Sequence, residues 1–240
     1  MPNWVKTIVK TDKDVIADIK SKYFNDEGLD FNKIIPMPED LDIESGSSGE
    51  DGLMILFFES DNDEEKNQIN KVYRSLNPFY KDIYLSPRFS HLLKDYGKMK
   101  DTLSYNTSKE MGTKYLENYK KYGYANWYNW CCDKWGTKWN CSRCRSNEDM
   151  ITFETAWGFS GDIMYKLSEK YPDAVFNCKF ADEGIKENSG IVDFKNGKVV
   201  SEKYNLSSKT INNIWDTYIE EIQEVNQDMD SPDLEEEFGK

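Results

Sequence analysis

Two strand–helix–strand patterns, one on each side of a long helix-rich stretch, predict an α+β protein: a ferredoxin-like split βαβ antiparallel sheet with a long helical insertion and a C-terminal helix. A second observation is Asn196-Gly197 between two apolar runs, the strongest short hairpin signal in the chain. The third is composition. Hydrophobic residues are only 38% of the chain, yet seven Trp, fifteen Tyr and twelve Phe supply large areas to bury. A chain that is 31% charged therefore still reads as folded.

The first pattern begins with a strand from Trp4 to Val9. A helix from Asp12 to Tyr23 follows, with Val15, Ile16, Ile19 and Tyr23 at helical spacing. A short strand over Phe31 to Ile35 is stopped by Pro36 and Pro38. The second pattern is a strand over Met150 to Trp157, a helix from Gly161 to Tyr171 capped by Ser160, and a strand over Ala174 to Phe180. Trp139 to Cys141 is read as the hairpin partner of the first of these strands. In the alternation Phe153-x-Thr155-x-Trp157 all three side chains share one face, which predicts a buried Trp157.

Between the two patterns, Ser45-Gly46-Ser47-Ser48-Gly49 reads as a flexible linker and Leu53 to Phe58 as a buried strand. Glu64 to Leu76, Ser108 to Tyr122 and Asn126 to Lys134 read as helices. A last helix from Ser208 to Asn226 carries a broad apolar stripe. The predicted organisation is a discontinuous core at 1–38 and 139–203, a mainly helical insertion at 39–138, a helix at 204–227 and an acidic tail at 228–240.

No apolar run reaches membrane-span length, and the N-terminus lacks a signal-peptide pattern, so the expected location is the cytoplasm, with no membrane partner. Five cysteines, an odd number, read as reduced thiols. The net charge of −13 is uneven: residues 39–65 carry −11 and 220–240 carry −8, which leaves +6 for the rest. The basic part is centred on Arg88 to Arg145.

Four segments carry a family resemblance: Met1-Pro2-Asn3-Trp4, Asp30 to Pro38, Ala125 to Trp130 with Trp135-Gly136-Thr137-Lys138-Trp139-Asn140, and Phe153-Glu154-Thr155-Ala156-Trp157. Their order and spacing resemble the YubB-type ferredoxin-like family of phage and plasmid proteins. The resemblance implies a fold and an origin on mobile elements, and no established activity. Gly158-Phe159 stands where that family often has a Pro pair.

Cys131, Cys132, Cys141 and Cys144 are the sharpest metal candidates, since Cys141-x-x-Cys144 can hold two corners of a zinc tetrahedron. A second clean Cys-x-x-Cys is missing, so plain thiols are the favoured reading and neither metal nor cofactor is expected. Trp127, Trp130, Trp135, Trp139 and Trp157 lie among Lys120, Lys121, Lys134, Lys138, Arg143 and Arg145, the mixture used to stack and hold single strands. The favoured reading makes these tryptophans core. Catalysis finds little support: His91 is the sole imidazole, and Asp182 and Glu183 end a strand before Gly184. The expectation is a non-enzymatic accessory protein of a mobile element that binds, and inhibits, a host protein or ribonucleoprotein complex, in the manner of an anti-defence or anti-CRISPR inhibitor. Asp61, Asp63, Glu64 and Glu65 form its phosphate-mimicking contact, because the 39–65 stretch holds no cation of its own. The alternative is nucleic-acid binding by the basic aromatic middle.

Overall fold

The computed structural model describes residues 2–184 and 186–217. Six antiparallel strands form one sheet in the spatial order β4 (Ser142–Ser146), β5 (Met150–Ala156), β1 (Trp4–Lys10), β6 (Phe176–Asp182), β7 (Ser189–Lys195) and β8 (Lys198–Tyr204). The period-2 alternation of β1 sends Val5 and Val9 to one face and Ile8 to the other. On the first face, Ile16 and Ile19 of α1 (Lys13–Tyr23) and Ile163, Met164 and Leu167 of α8 (Gly161–Lys170) share one core with Val5, Val9, Ile151, Phe153 and Phe176. Both crossover helices thus lie on the same side of the sheet. On the other face, Ile8, Met150 and Ala181 are covered by Leu206 and by Ile214 of α9 (Ser208–Trp215). The rest of the expected C-terminal helix and the acidic tail at 228–240 lie outside the described residues.

The fold is ferredoxin-like, but one of its strands comes from an unexpected place. Residues 31–35 are not a strand; they hold the short helix α2 (Phe31–Ile34). Asp30 caps it by accepting from the Asn32 N–H at 2.9 Å, and Phe31 and Ile34, one turn apart, both enter the core. The strand that completes the first βαβ unit is β4, reached only after the insertion and shifted from the expected 139–141. Between α1 and α2 the chain makes a small ribbon of β2 (Phe24–Asn25) and β3 (Gly28–Leu29). Ser160 occupies the N-cap of α8, yet its hydroxyl makes no capping hydrogen bond.

The expected linker and buried strand at 45–58 are a single helix, α3 (Ser47–Glu59). A short apolar run cannot by itself tell strand from buried helix. Gly49 of the expected linker and Gly52 beyond it serve close packing on α6 (Leu103–Tyr122). A Cβ on Gly52 would sit 1.9 Å from the Ser108 carbonyl oxygen and 2.6 Å from the Gly112 nitrogen. Together with α4 (Asp63–Leu76) and α5 (Pro87–Met99), these helices enclose a second core that includes Leu53, Met54, Ile55, Ile69, Val72 and Tyr115. By contrast, α7 (Trp127–Lys134) and the residue that ends it give Trp130, Cys131 and Trp135 to the core of the sheet. No helix among the described residues is long and apolar enough to cross a membrane.

Glu59, at the end of α3, locks α3 to α5 and α6. It pairs with Lys109 at 2.6 Å and accepts hydrogen bonds from the Tyr96 and Tyr105 hydroxyls. Burial works to raise its pKa, but these donors outweigh burial and hold the carboxyl at about 2, against 4.5 ordinarily. A depressed folded-state pKa gives stability that is complete above 4.5 and is lost as pH falls toward 2. Glu59→Gln should therefore lower the urea midpoint at neutral pH, and the gap to wild type should close near pH 2. A gap of equal size at both pH values would contradict this.

Candidate functional site

The Trp135–Asn140 block alternately anchors and displays its side chains. Trp135 ends α7, and Gly136 then adopts a left-handed φ of +73°, which glycine takes without strain. Thr137 is buried and donates to the Ala156 carbonyl at 2.9 Å. Asn140 accepts from the Phe31 and Cys141 N–H groups, each at 3.0 Å, and donates to Asp30. Lys138 and Trp139, between these two anchors, are left facing outward, and Trp139 is 40% exposed.

Trp157 faces the same way from the end of β5. The strand stops at Ala156, so the alternation that predicted burial is broken at the decisive residue. Trp157 has a φ of +69°, rare for a bulky side chain, and is 46% exposed. Its N–H donates to the Asn3 carbonyl at 2.9 Å, and its carbonyl accepts from Asn188 at 3.1 Å. Asp182 is buried and accepts from the side chains of both Asn3 and Asn188, while Glu183 accepts from the Trp4 N–H. The acidic pair seen in the sequence thus braces the backbone around Trp157.

Lys138 joins the displayed rings. Its ammonium lies 4.3 Å from the Trp139 ring centre, 5.0 Å from that of Trp157 and 5.6 Å from that of Tyr128. Tyr128 is edge-on to Trp157 at 6.4 Å, and Trp4 lies 6.5 Å from Trp139. The Arg143 guanidinium sits 5.9 Å from the Trp4 ring and donates to Glu154 at 2.5 Å. A recess of about 200 Å³ opens beside Lys138 and Trp139, with Trp127 and Trp135 in its wall. The result is one strip, Tyr128–Trp157–Lys138–Trp139–Trp4–Arg143, offering indole faces for stacking and the Lys138 ammonium for an anion, with Arg143 held by Glu154. The expectation that these tryptophans are all core holds for Trp130 and Trp135 and fails for Trp139 and Trp157.

The other basic candidates are engaged away from the strip. Lys121 pairs with Asp40 at 2.8 Å and Lys134 with Asp133 at 2.9 Å. Lys120 is exposed beside Gln68 and Lys71, and Arg145 donates to the Cys144 carbonyl at 3.0 Å. Asp61, Asp63, Glu64 and Glu65 are exposed at the start of α4. There Asn62 accepts from the Glu64 and Glu65 N–H groups, and acids at a helix N-terminus also suit its dipole. The field of the stretch around them is opposed in part. Asp40, Asp51 and Glu59 pair with Lys121, Arg88 and Lys109, cations that α5 and α6 bring in from far along the chain.

Cys131 is buried and Cys132 exposed, whereas Cys141 and Cys144 lie together at the start of the sheet's edge. Among the described residues no three His, Cys, Asp or Glu side chains converge as a metal-holding set. His91 is exposed on α5. Sequence reasoning missed Trp4 and Tyr128 as parts of the strip. Their only local signals were a strand start and an Asn-capped helix, both common structural positions.

Residues 134–230 match the family model for the ferredoxin-like domain in Api92-like protein. The match contains the Trp135–Asn140 and Phe153–Trp157 blocks, and so most of the strip. Among solved structures, protein api92 from Yersinia pseudotuberculosis is 13% identical, with 86% of this chain and 99% of that chain covered and a TM-score of 0.40. No curated protein matches.

The geometry of Trp157 makes a direct prediction. Trp157→Gly should leave stability unchanged or raise it by about 1 kcal/mol, because the left-handed backbone is relieved and little packing is lost. A loss of about 3–5 kcal/mol in chemical denaturation, as for a core aromatic, would contradict the exposed placement.

Proposed function

We propose that this is a non-enzymatic binding protein that takes single-stranded nucleic acid along the Trp157–Lys138–Trp139 strip. The observation that carries the reading is Trp157: a large apolar ring, exposed, on a left-handed backbone braced by Asn3, Asn188 and Asp182. Such conformations cost on the order of 1–3 kcal/mol and concentrate at working sites. Unpaired bases offer faces to stack on exposed indoles, whereas a duplex hides them. The chain is acidic overall, at −13, so attraction to phosphate is local and stacking carries most of the affinity.

The test is fluorescence anisotropy with short single-stranded and duplex DNA and RNA over a range of salt. With Lys138 as the phosphate partner, the slope of log affinity against log salt should be shallow, about −0.7. Single strands should bind better than duplex. Preference for duplex with a slope several times steeper would reject the proposal.

A second reading is binding and inhibition of a host protein complex by a phage- or plasmid-encoded protein. The sequence blocks similar to the YubB-type family support that origin, and the exposure of Asp61, Asp63, Glu64 and Glu65 supports that surface. Replacing the four with Asn and Gln should abolish capture of a protein partner under this reading and leave oligonucleotide binding unchanged under the first.

A further inference from the structure

Cys141 and Cys144 flank an irregularity in the edge strand of the sheet. The pairing of β4 with β5 shifts register between Ser142 and Arg145, and Arg143 within the shift has a left-handed φ of +49°. This fold-back sets the two sulfurs side by side against the β2–β3 ribbon. Both hold the backbone of one residue of that ribbon: Cys141 donates to the Leu29 carbonyl at 3.0 Å, and the Leu29 N–H donates to the Cys144 sulfur at 3.4 Å. The pair is 9% and 8% exposed at the sheet's edge, whereas Cys178 is 0% exposed within the sheet.

We propose that Cys141 and Cys144 are a reactive dithiol that closes reversibly to an intramolecular disulfide, with a hydroperoxide as oxidant. Cys144 is the attacking sulfur. The Cys141 thiol, the Leu29 N–H and the neighbouring Arg145 charge all favour its thiolate and lower its pKa against the effect of burial, while Cys141 is pushed the other way and stays protonated. The Cys144 thiolate attacks one peroxide oxygen; the S–O bond forms, the O–O bond breaks and hydroxide leaves. Cys141 sulfur then attacks the Cys144 sulfenic acid; the S–S bond forms, the S–O bond breaks, and the departing hydroxide takes the Cys141 proton as water. Two thiols lose two electrons and one hydrogen peroxide becomes two waters. The bond would form across the turn that carries Arg143, the last member of the aromatic strip.

The test uses the full chain with the exposed Cys132→Ser change, treated with hydrogen peroxide in native buffer, alkylated and mapped by mass spectrometry. A Cys141–Cys144 cross-link should form roughly tenfold or more faster than any oxidation of Cys178, and thiol reductant should reverse it. On the same background, Cys141→Ser should halt the reaction at a Cys144 sulfenic acid trapped by a dimedone-type reagent. The proposal is overturned if Cys144 oxidises no faster than Cys178, or if oxidation yields only intermolecular links or over-oxidised Cys144 while Cys141 stays free.

Discussion

Gly52→Leu should destabilise the protein by about 3 kcal/mol or more, the upper range for overpacking. The contact leaves no room: even the first carbon of a side chain would lie 1.9 Å from the Ser108 carbonyl oxygen, a backbone atom that cannot rotate away. Gly112 is the mirror of this, with a Cβ there 2.4 Å from the Gly52 carbonyl carbon. α3 and α6 would have to separate, taking Leu53, Met54 and Tyr115 out of contact and opening the second core. Gly97→Ala is the control, since nothing lies within 4 Å of its Cβ. There the helix should gain about 1 kcal/mol. Chemical denaturation followed by circular dichroism reads both. A Gly52→Leu protein as stable as wild type would contradict the α3–α6 packing.

The same glycines show why parts of the fold were hidden in the sequence. In isolation Ser45 to Gly49 look like a linker, and only the arrival of α6, half a hundred residues on, reveals Gly49 and Gly52 as a packing face. Local periodicity did find β1, α1, α8 and the Asn196-Gly197 hairpin, because each has an amphipathic pattern or a turn that needs no distant partner. It misread Phe31 and Ile34, whose spacing suits a helical turn as well as a strand. At the candidate site, the mixture of tryptophan and cations was visible, but its division was not. Trp130 and Trp135 point inward and Trp139 outward for reasons of three-dimensional anchoring by Thr137 and Asn140. Trp157 escaped because its alternation ends one residue early, at a left-handed turn that no sequence rule assigns to tryptophan. In the acidic stretch the reason is the converse, since the lysines and arginine that pair with Asp40, Asp51 and Glu59 come from other helices.

Trp139→Ala combined with Trp157→Gly should weaken binding to oligothymidylate by roughly 30-fold or more. Each base stacked on an aromatic ring contributes about 1–3 kcal/mol, so two rings carry at least about 2 kcal/mol. The rings flank one lysine, and the two losses need not simply add. Stability should change far less than for a core tryptophan, because neither ring belongs to a core cluster. Replacing Lys120, Lys121 and Lys134 together with Gln should alter affinity by less than about twofold, since two of the three are tied to carboxylates. A large loss in the lysine variant with little in the tryptophan variant would move the contact to the α6–α7 surface.

The most direct measurement is photocrosslinking of a single-stranded oligonucleotide carrying 5-iodouracil, followed by peptide mapping of the full chain. Crosslinks are expected at Trp139, Trp157 or Tyr128, the displayed rings of the strip, and they should be lost when unlabelled single strand competes. Crosslinks confined to the lysine-bearing end of α6, or no competable crosslink at all, would contradict this expectation.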